Sequence, residues 1–127
     1  MKPLVIDVET TTFNEGNPFD ERNKLCAVAL YDVGSGSKTV PIEYDGSPYR
    51  EGLEEIRRRI ESVELIIGFN IKFDLHWLRR YGFSIPDYCY DCQLGDFILN
   101  GQTRPFPSLE SVGESLSLGG KLDGGLA

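Results

Sequence analysis

Leu65-Ile66-Ile67-Gly68-Phe69-Asn70-Ile71-Lys72-Phe73-Asp74-Leu75-His76-Trp77-Leu78-Arg79-Arg80-Tyr81 decides the fold. Leu65 to Phe69 is a continuous apolar run, the pattern of a strand covered on both faces. From Ile71 to Tyr81 the period becomes helical, and Gly82 ends the helix. At ~100° per residue, Lys72, His76, Arg79 and Arg80 share one arc, while Ile71, Phe73, Leu75, Trp77, Leu78 and Tyr81 fill the other. Asp74 falls inside the apolar arc, between Tyr81 and Leu78. A charge facing a core must be paired, protonated or metal-bound. The polar residues of the same helix lie too far round to pair with it. A loop amide or a distant Arg could hold it, and so could a metal ion, directly or through water. Asn70 stands one residue ahead. It can serve as an N-cap, and it can face the same cleft as Asp74 and bond a phosphate or sugar. The two roles are compatible.

Upstream, Leu4 to Val8 is short, alternating and β-rich, and reads as a strand. Thr10 to Pro18 is polar and turn-rich, hence a loop. Leu25 to Tyr31 reads as a second strand, Gly34 to Ser37 as a turn, and Lys38 to Tyr44 as a third strand, which together predict an antiparallel meander. Asp45-Gly46-Ser47-Pro48 breaks the chain. Glu51 to Val63 follows as a helix, with Leu53, Ile56 and Ile60 on one face. Downstream, Phe83 to Tyr90 reads as irregular, and Asp91 as the cap of a helix reaching about Asn100. Ser108 caps a weaker helix to Leu118, with Leu109, Val112 and Leu116 on one stripe. The pattern is α/β: an antiparallel three-strand meander followed by α-β-α units, forming a mixed sheet with helices against it. One domain spans residues 1–127, with 119–127 as a Gly-rich tail.

In the first strand, Leu4, Ile6 and Val8 point one way and Val5, Asp7 and Glu9 the other. Asp7 and Glu9 are then ~6–7 Å apart at Cα. Carboxylates that close repel unless a cation lies between them. Asp-x-Glu alone is common and often marks a solvated strand face. Here it ends an apolar first strand and is followed at once by a Thr-rich loop.

The chain has 127 residues, 13 Lys plus Arg and 20 Asp plus Glu, for a net charge of -7. That argues against a basic nucleic-acid coat, but not against an enzyme that collects divalent cations on nucleic acid. No apolar run approaches the ~20 residues of a membrane span, and Met1 to Asp7 is too short and too acidic for a signal peptide. Three cysteines make no disulfide framework, so a reducing compartment, the cytoplasm, is expected. Cys89-x-x-Cys92 admits a redox or zinc site, but neither a leading βαβ unit nor a second Cys pair accompanies it. Two small core residues is the plainer reading. Arg57-Arg58-Arg59, flanked by Glu54, Glu55 and Glu61, reads as a salt-bridged solvated face. Lys72, Arg79 and Arg80 could be another such face, or could run beside a nucleic-acid strand.

Ile6-Asp7-Val8-Glu9-Thr10-Thr11-Thr12 resembles the first motif, Asp-x-Glu, of the DEDD 3′–5′ exonucleases. Gly68-Phe69-Asn70-Ile71-Lys72-Phe73-Asp74 resembles the second, Asn-x-x-(Phe/Tyr)-Asp. Asp91-Cys92-Gln93-Leu94-Gly95-Asp96-Phe97-Ile98-Leu99-Asn100 is similar to the helix that follows in proofreading domains of family A DNA polymerases, from phages and bacteria. Ser108 to Val112 is similar to the helix after that. The resemblance implies a ribonuclease H-like fold and two-metal phosphodiester hydrolysis with Mg²⁺ or Mn²⁺ at single-stranded 3′ ends, DNA before RNA. It implies a bacterial or phage-infected cell as the setting. It makes Asp7, Glu9 and Asp74 catalytic metal ligands: Asp7 on both ions, Glu9 on the first, Asp74 on the second. Thr10, Thr11, Phe13, Asn70 and Phe73 become substrate contacts, with Phe13 able to stack on the terminal base.

The family's third motif, Tyr-x-x-x-Asp or His-x-x-x-x-Asp, supplies a fourth carboxylate and a residue that orients the water. Here Tyr88 reaches Cys92, Tyr90 reaches Leu94, and His76 reaches Arg80 and Tyr81, so nothing matches. The sequence is therefore expected to be C-terminally incomplete. It would be a fragment of a longer exonuclease or polymerase, a subunit completed by a second polypeptide, or a remnant that acts by binding.

Overall fold

The computed structural model describes residues 2–44 and 47–118. The expected turn at Asp45-Gly46 and the Gly-rich tail from Gly119 lie outside the described residues. Strand β1 (Pro3–Thr10) pairs antiparallel with β2 (Leu25–Asp32), which pairs antiparallel with β3 (Gly36–Pro41). The predicted meander is present. On its other side β1 pairs parallel with β6 (Leu65–Gly68), through Pro3↔Leu65 to Val5↔Ile67. A fifth strand, β7 (Tyr88–Asp91), adds parallel to β6, giving the order β3-β2-β1-β6-β7. This is the expected α/β mixed sheet.

Two expectations about strand boundaries need correction. The third strand stops at Pro41 rather than Tyr44. Ile42 is drawn into the core, and Glu43–Tyr44 (β4) pairs with Ser47–Pro48 (β5) in a separate ribbon. The segment ahead of Asp91 is not irregular throughout, because β7 lies within it. Its side chains Tyr88, Cys89 and Tyr90 are exposed, so no buried alternation marks it.

Helix α1 (Arg50–Glu61) buries Ile56 and Ile60. It crosses β3 at Gly52, where any Cβ would overlap the Pro41 carbonyl. Helix α2 (Ile71–Arg80) buries Ile71, Trp77 and Leu78. It ends as Gly82 predicted. Gly82, at φ +80, donates to Arg79 O at 3.0 Å, and Phe83 N–H donates to Leu78 O at 3.0 Å. Those paired bonds satisfy the last carbonyls of the helix. Helices α3 (Cys92–Leu99) and α4 (Leu109–Ser115) start at their predicted caps, and α4 stops at Ser115 rather than Leu118. Asp91 accepts from Gln93 N, and Ser108 and Ser111 cap each other.

Leu4, Ile6 and Val8 of β1 join Val28, Leu30, Ile66, Ile56, Ile60, Trp77 and Leu78 in one core. Burying each such aliphatic side chain contributes roughly 1.5–3 kcal/mol. The opposite face is more open among the described residues: Val5 is 38% exposed and Tyr31 46%. Leu65 and Ile67 are only half-buried, so β6 is not covered on both faces as its composition predicts. No described helix is long and apolar enough to cross a membrane.

Candidate active site

The register of β6 builds the site. Its pairing with β1 ends at Val5↔Ile67, and along that edge β1 runs on to Thr10. The chain turns at Phe69-Asn70 and enters α2, whose first turn brings Asp74 to that edge. There the Val8 N–H donates to the Asp74 carboxyl. A backbone N–H of β1 thus bonds the acid on which Asp7 and Glu9 act electrostatically. Gly68 makes room, since a Cβ there would stand 3.3 Å from Asp74 Oδ2.

Asp74 is 3% exposed, as the helical wheel predicted. Its pKa is pushed up to about 8, first by burial and then by the negative charge of Asp7. The Val8 N–H opposes the shift, while Asp91 and Glu9 add to it. Asp7 is exposed and Glu9 half-buried, both on the face away from the core.

The predicted substrate contacts divide. Thr10 closes β1 and donates to Thr11 O at 2.9 Å. The Thr11 hydroxyl is engaged within the loop, donating to Asn23 Oδ1 at 2.9 Å and accepting from Lys24 N–H at 2.8 Å. Phe13 is 49% exposed, with the Arg22 guanidinium 4.8 Å from its ring centre. Phe73 is partly buried against the core, beneath Gly16. Asn70 is exposed at the start of α2, but it makes no side-chain cap. Its backbone is left-handed (φ 56, ψ 51), and its N–H donates to Asp91 Oδ1 at 2.9 Å. The structure therefore leaves Phe13 and Asn70 open, and engages Thr10, Thr11 and Phe73 with the loop and scaffold.

Sequence reading missed Asn23. It is fully buried, accepts from Phe13 N–H at 2.9 Å, and donates to Phe13 O at 2.6 Å and Asn17 O at 3.0 Å. These bonds hold the loop that leaves the acids. Nothing in the sequence separates it from other loop asparagines.

The remaining candidates fall away from the acids. His76 packs edge-on against Phe19, with centroids 5.3 Å apart. Arg80 donates to Pro18 O and Asp20 O, so it anchors the loop. Arg59 on α1 pairs with Asp32 at the end of β2 at 2.8 Å, whereas Arg57 lies 3.9 Å from Glu54 along its own helix. Cys89 and Cys92 are not core residues: Cys89 is exposed and Cys92 half-buried. Partial burial raises both thiols above their ordinary pKa, which disfavours the thiolate a redox or zinc site requires.

Among the described residues no three His, Cys, Asp or Glu side chains gather closely enough to enclose a metal ion. The donor chemistry nonetheless fits a hard divalent cation, which takes carboxylate oxygens. A buried Asp74 surrounded by negative charge is the group such a cation would return to its ionised form.

The five-stranded order, the antiparallel meander and the helices that follow make this a ribonuclease H-like α/β fold. Solved structures of similar shape have DEDD-type exonuclease folds. Brucella melitensis NrnC with bound Mg²⁺ superposes with a TM-score of 0.69 at 20% identity, covering 94% of this chain and 56% of NrnC. NrnC bound to pGG gives 0.69 at 21% identity, over 95% of this chain and 55% of that one. The family B DNA polymerase of Pyrobaculum calidifontis gives 0.62 at 14% identity, over 91% of this chain and 18% of the polymerase. The chain thus spans little more than half the length of NrnC. No protein-family model and no curated protein matches the sequence.

Proposed function

We propose that the chain is a metal-dependent 3′–5′ exonuclease domain of proofreading type. It would hydrolyse phosphodiester bonds at single-stranded DNA 3′ ends and release nucleoside 5′-monophosphates. One observation carries this reading. Asp74, a buried acid bonded by the Val8 N–H of β1, sits within the electrostatic reach of Asp7 and Glu9. Asp7, Glu9 and Asp74 would hold Mg²⁺ or Mn²⁺, and the NrnC structure with bound Mg²⁺ supports that cofactor. When bound, the ions supply an activated water and offset charge at the phosphate. Asp7 and Glu9 hold their carboxylates on one strand face. The Val8 N–H keeps Asp74 turned toward them. Thr10, which follows Glu9, and Asn70, at the start of α2, would contact a 3′-terminal nucleotide, and the open ring of Phe13 is available to stack on its base.

The second reading is a 3′–5′ exoribonuclease of the same superfamily, favoured by the NrnC structure bound to pGG. The fourth carboxylate of the family would come from a polymerase domain or a second polypeptide. Without it, activity would be lower by orders of magnitude, because such residues act as a unit, and the chain would work as a binding subunit. A 5′-labelled single strand, DNA or RNA, incubated with Mg²⁺ or Mn²⁺ tests the proposal. Progressive shortening that Asp7→Ala abolishes supports it, and the faster substrate settles DNA against RNA. No shortening at high protein concentration, together with no Mn²⁺ binding by calorimetry, rules out catalysis by this chain.

A further inference from the structure

Asp91 lies at the far end of β7, yet it is tied to the start of α2. Its Oδ1 accepts two backbone N–H groups, from Gln93 at 3.0 Å and from Asn70 at 2.9 Å. The first is ordinary helix capping of α3. The second reaches the turn after the neighbouring strand β6, to a residue 21 positions earlier. Asn70 has φ 56 and ψ 51, a left-handed conformation that asparagine adopts more readily than most non-glycine residues when a local hydrogen bond holds it. The Asn70 carbonyl in turn accepts from Phe73 N–H at 3.2 Å, within the turn that carries Asp74. Gly68, whose missing Cβ makes room for Asp74, pairs with Asp91 in the β6–β7 ladder. Side chain and backbone of Asp91 thus hold both ends of the Gly68-Phe69-Asn70 turn.

We propose that Asp91 is a positioning residue for the carboxylate site. By clamping the left-handed Asn70 turn to the start of α3, it sets the first turn of α2 and so the place of Asp74 relative to Asp7. This rests on the reading of Asp7, Glu9 and Asp74 as metal ligands. The clamp works through an acceptor oxygen, not through charge. An amide oxygen can accept the same two bonds, so Asp91→Asn preserves the clamp and Asp91→Ala removes it. Both variants delete the negative charge, and the difference between them reports the hydrogen bonds alone.

The test compares the two variants by Mn²⁺ calorimetry and by amide hydrogen exchange of the metal-free protein, at a temperature where both are folded. Asp91→Ala is expected to bind Mn²⁺ at least about tenfold more weakly than Asp91→Asn, and to lose protection at the Asn70 amide by a similar factor. Equal Mn²⁺ affinities overturn the proposal even where Asp91→Ala has the lower Tm, because a merely structural cap would lower Tm and leave affinity alone. Equal exchange at Asn70 overturns it as well. A wild-type chain that binds no Mn²⁺ counts against the metal site itself, and the exchange comparison still decides whether Asp91 holds the turn.

Discussion

Asp74 couples the site to stability through its proton. Its folded pKa of about 8 lies above its ordinary 3.8. Between those values the folded state holds a proton that the unfolded state has released, so stability falls as pH rises through this window. The metal-free protein is therefore expected to melt at least about 4 °C higher at pH 5 than at pH 8. Asp74→Asn should flatten most of that slope, since the amide carries no charge to bury. Millimolar Mn²⁺ at pH 8 should raise the wild-type Tm and leave Asp74→Asn nearly unmoved, because a ligand stabilises only the state that binds it. Thermal melts at the two pH values, with and without Mn²⁺, check all three outcomes. A wild-type Tm that rises with pH would contradict the assignment.

Asn23 governs an element rather than a site. Its four hydrogen bonds hold Thr11, Phe13 and Asn17 in one loop. Asn23→Ala strands several buried polar groups and should cost about 2–4 kcal/mol, measurable by urea unfolding. The loss should appear equally at pH 5 and pH 8, unlike that of the Asp74 proton.

The same scale shows what a sequence discloses. Strands β1 and β2 and helix α2 were legible because each buries one face and writes that burial as a period. Asp74 was legible because it violates that period. β7 was not, since it lies at the sheet edge with exposed side chains and obeys no burial pattern. The β4–β5 ribbon was hidden because Glu43 and Tyr44 extend the third strand in composition and leave it only in pairing. Asn23 and the Asp91–Asn70 bond were invisible for another reason: their roles depend on which backbone groups arrive opposite them, and only the tertiary fold decides that.

Across the whole molecule, burial is uneven. The core lies under β1, β2, β6, α1 and α2, whereas α3 and α4 have no buried residue. Along this segment Leu94, Ile98, Leu99, Phe106, Leu109 and Leu116 are exposed. Phe97 and Phe106 stack at 5.0 Å, a contact within this segment rather than with the core. Elements that bury little apolar surface open at small free energies. Hydrogen exchange should therefore release amides of 92–118 well before those of β1, β2 and β6. Comparable protection throughout would show that the two helices are held by more than the contacts described.

The loop that leaves the acids rests on the chain's single tryptophan. The Trp77 ring is buried, its indole N–H donates to Gly16 O at 3.2 Å, and the Arg80 guanidinium lies 4.9 Å from the ring centre. Gly16 belongs to the same loop as Phe13, four residues beyond Thr12. The protein consequently carries a built-in fluorophore whose environment depends on that loop. Excited alone, it should emit in the blue range of a dry indole. If a nucleotide end lifts the loop, the emission should shift red and weaken as water reaches the ring. A short oligonucleotide titrated into unlabelled protein would then report occupancy of the site by light, with no turnover required.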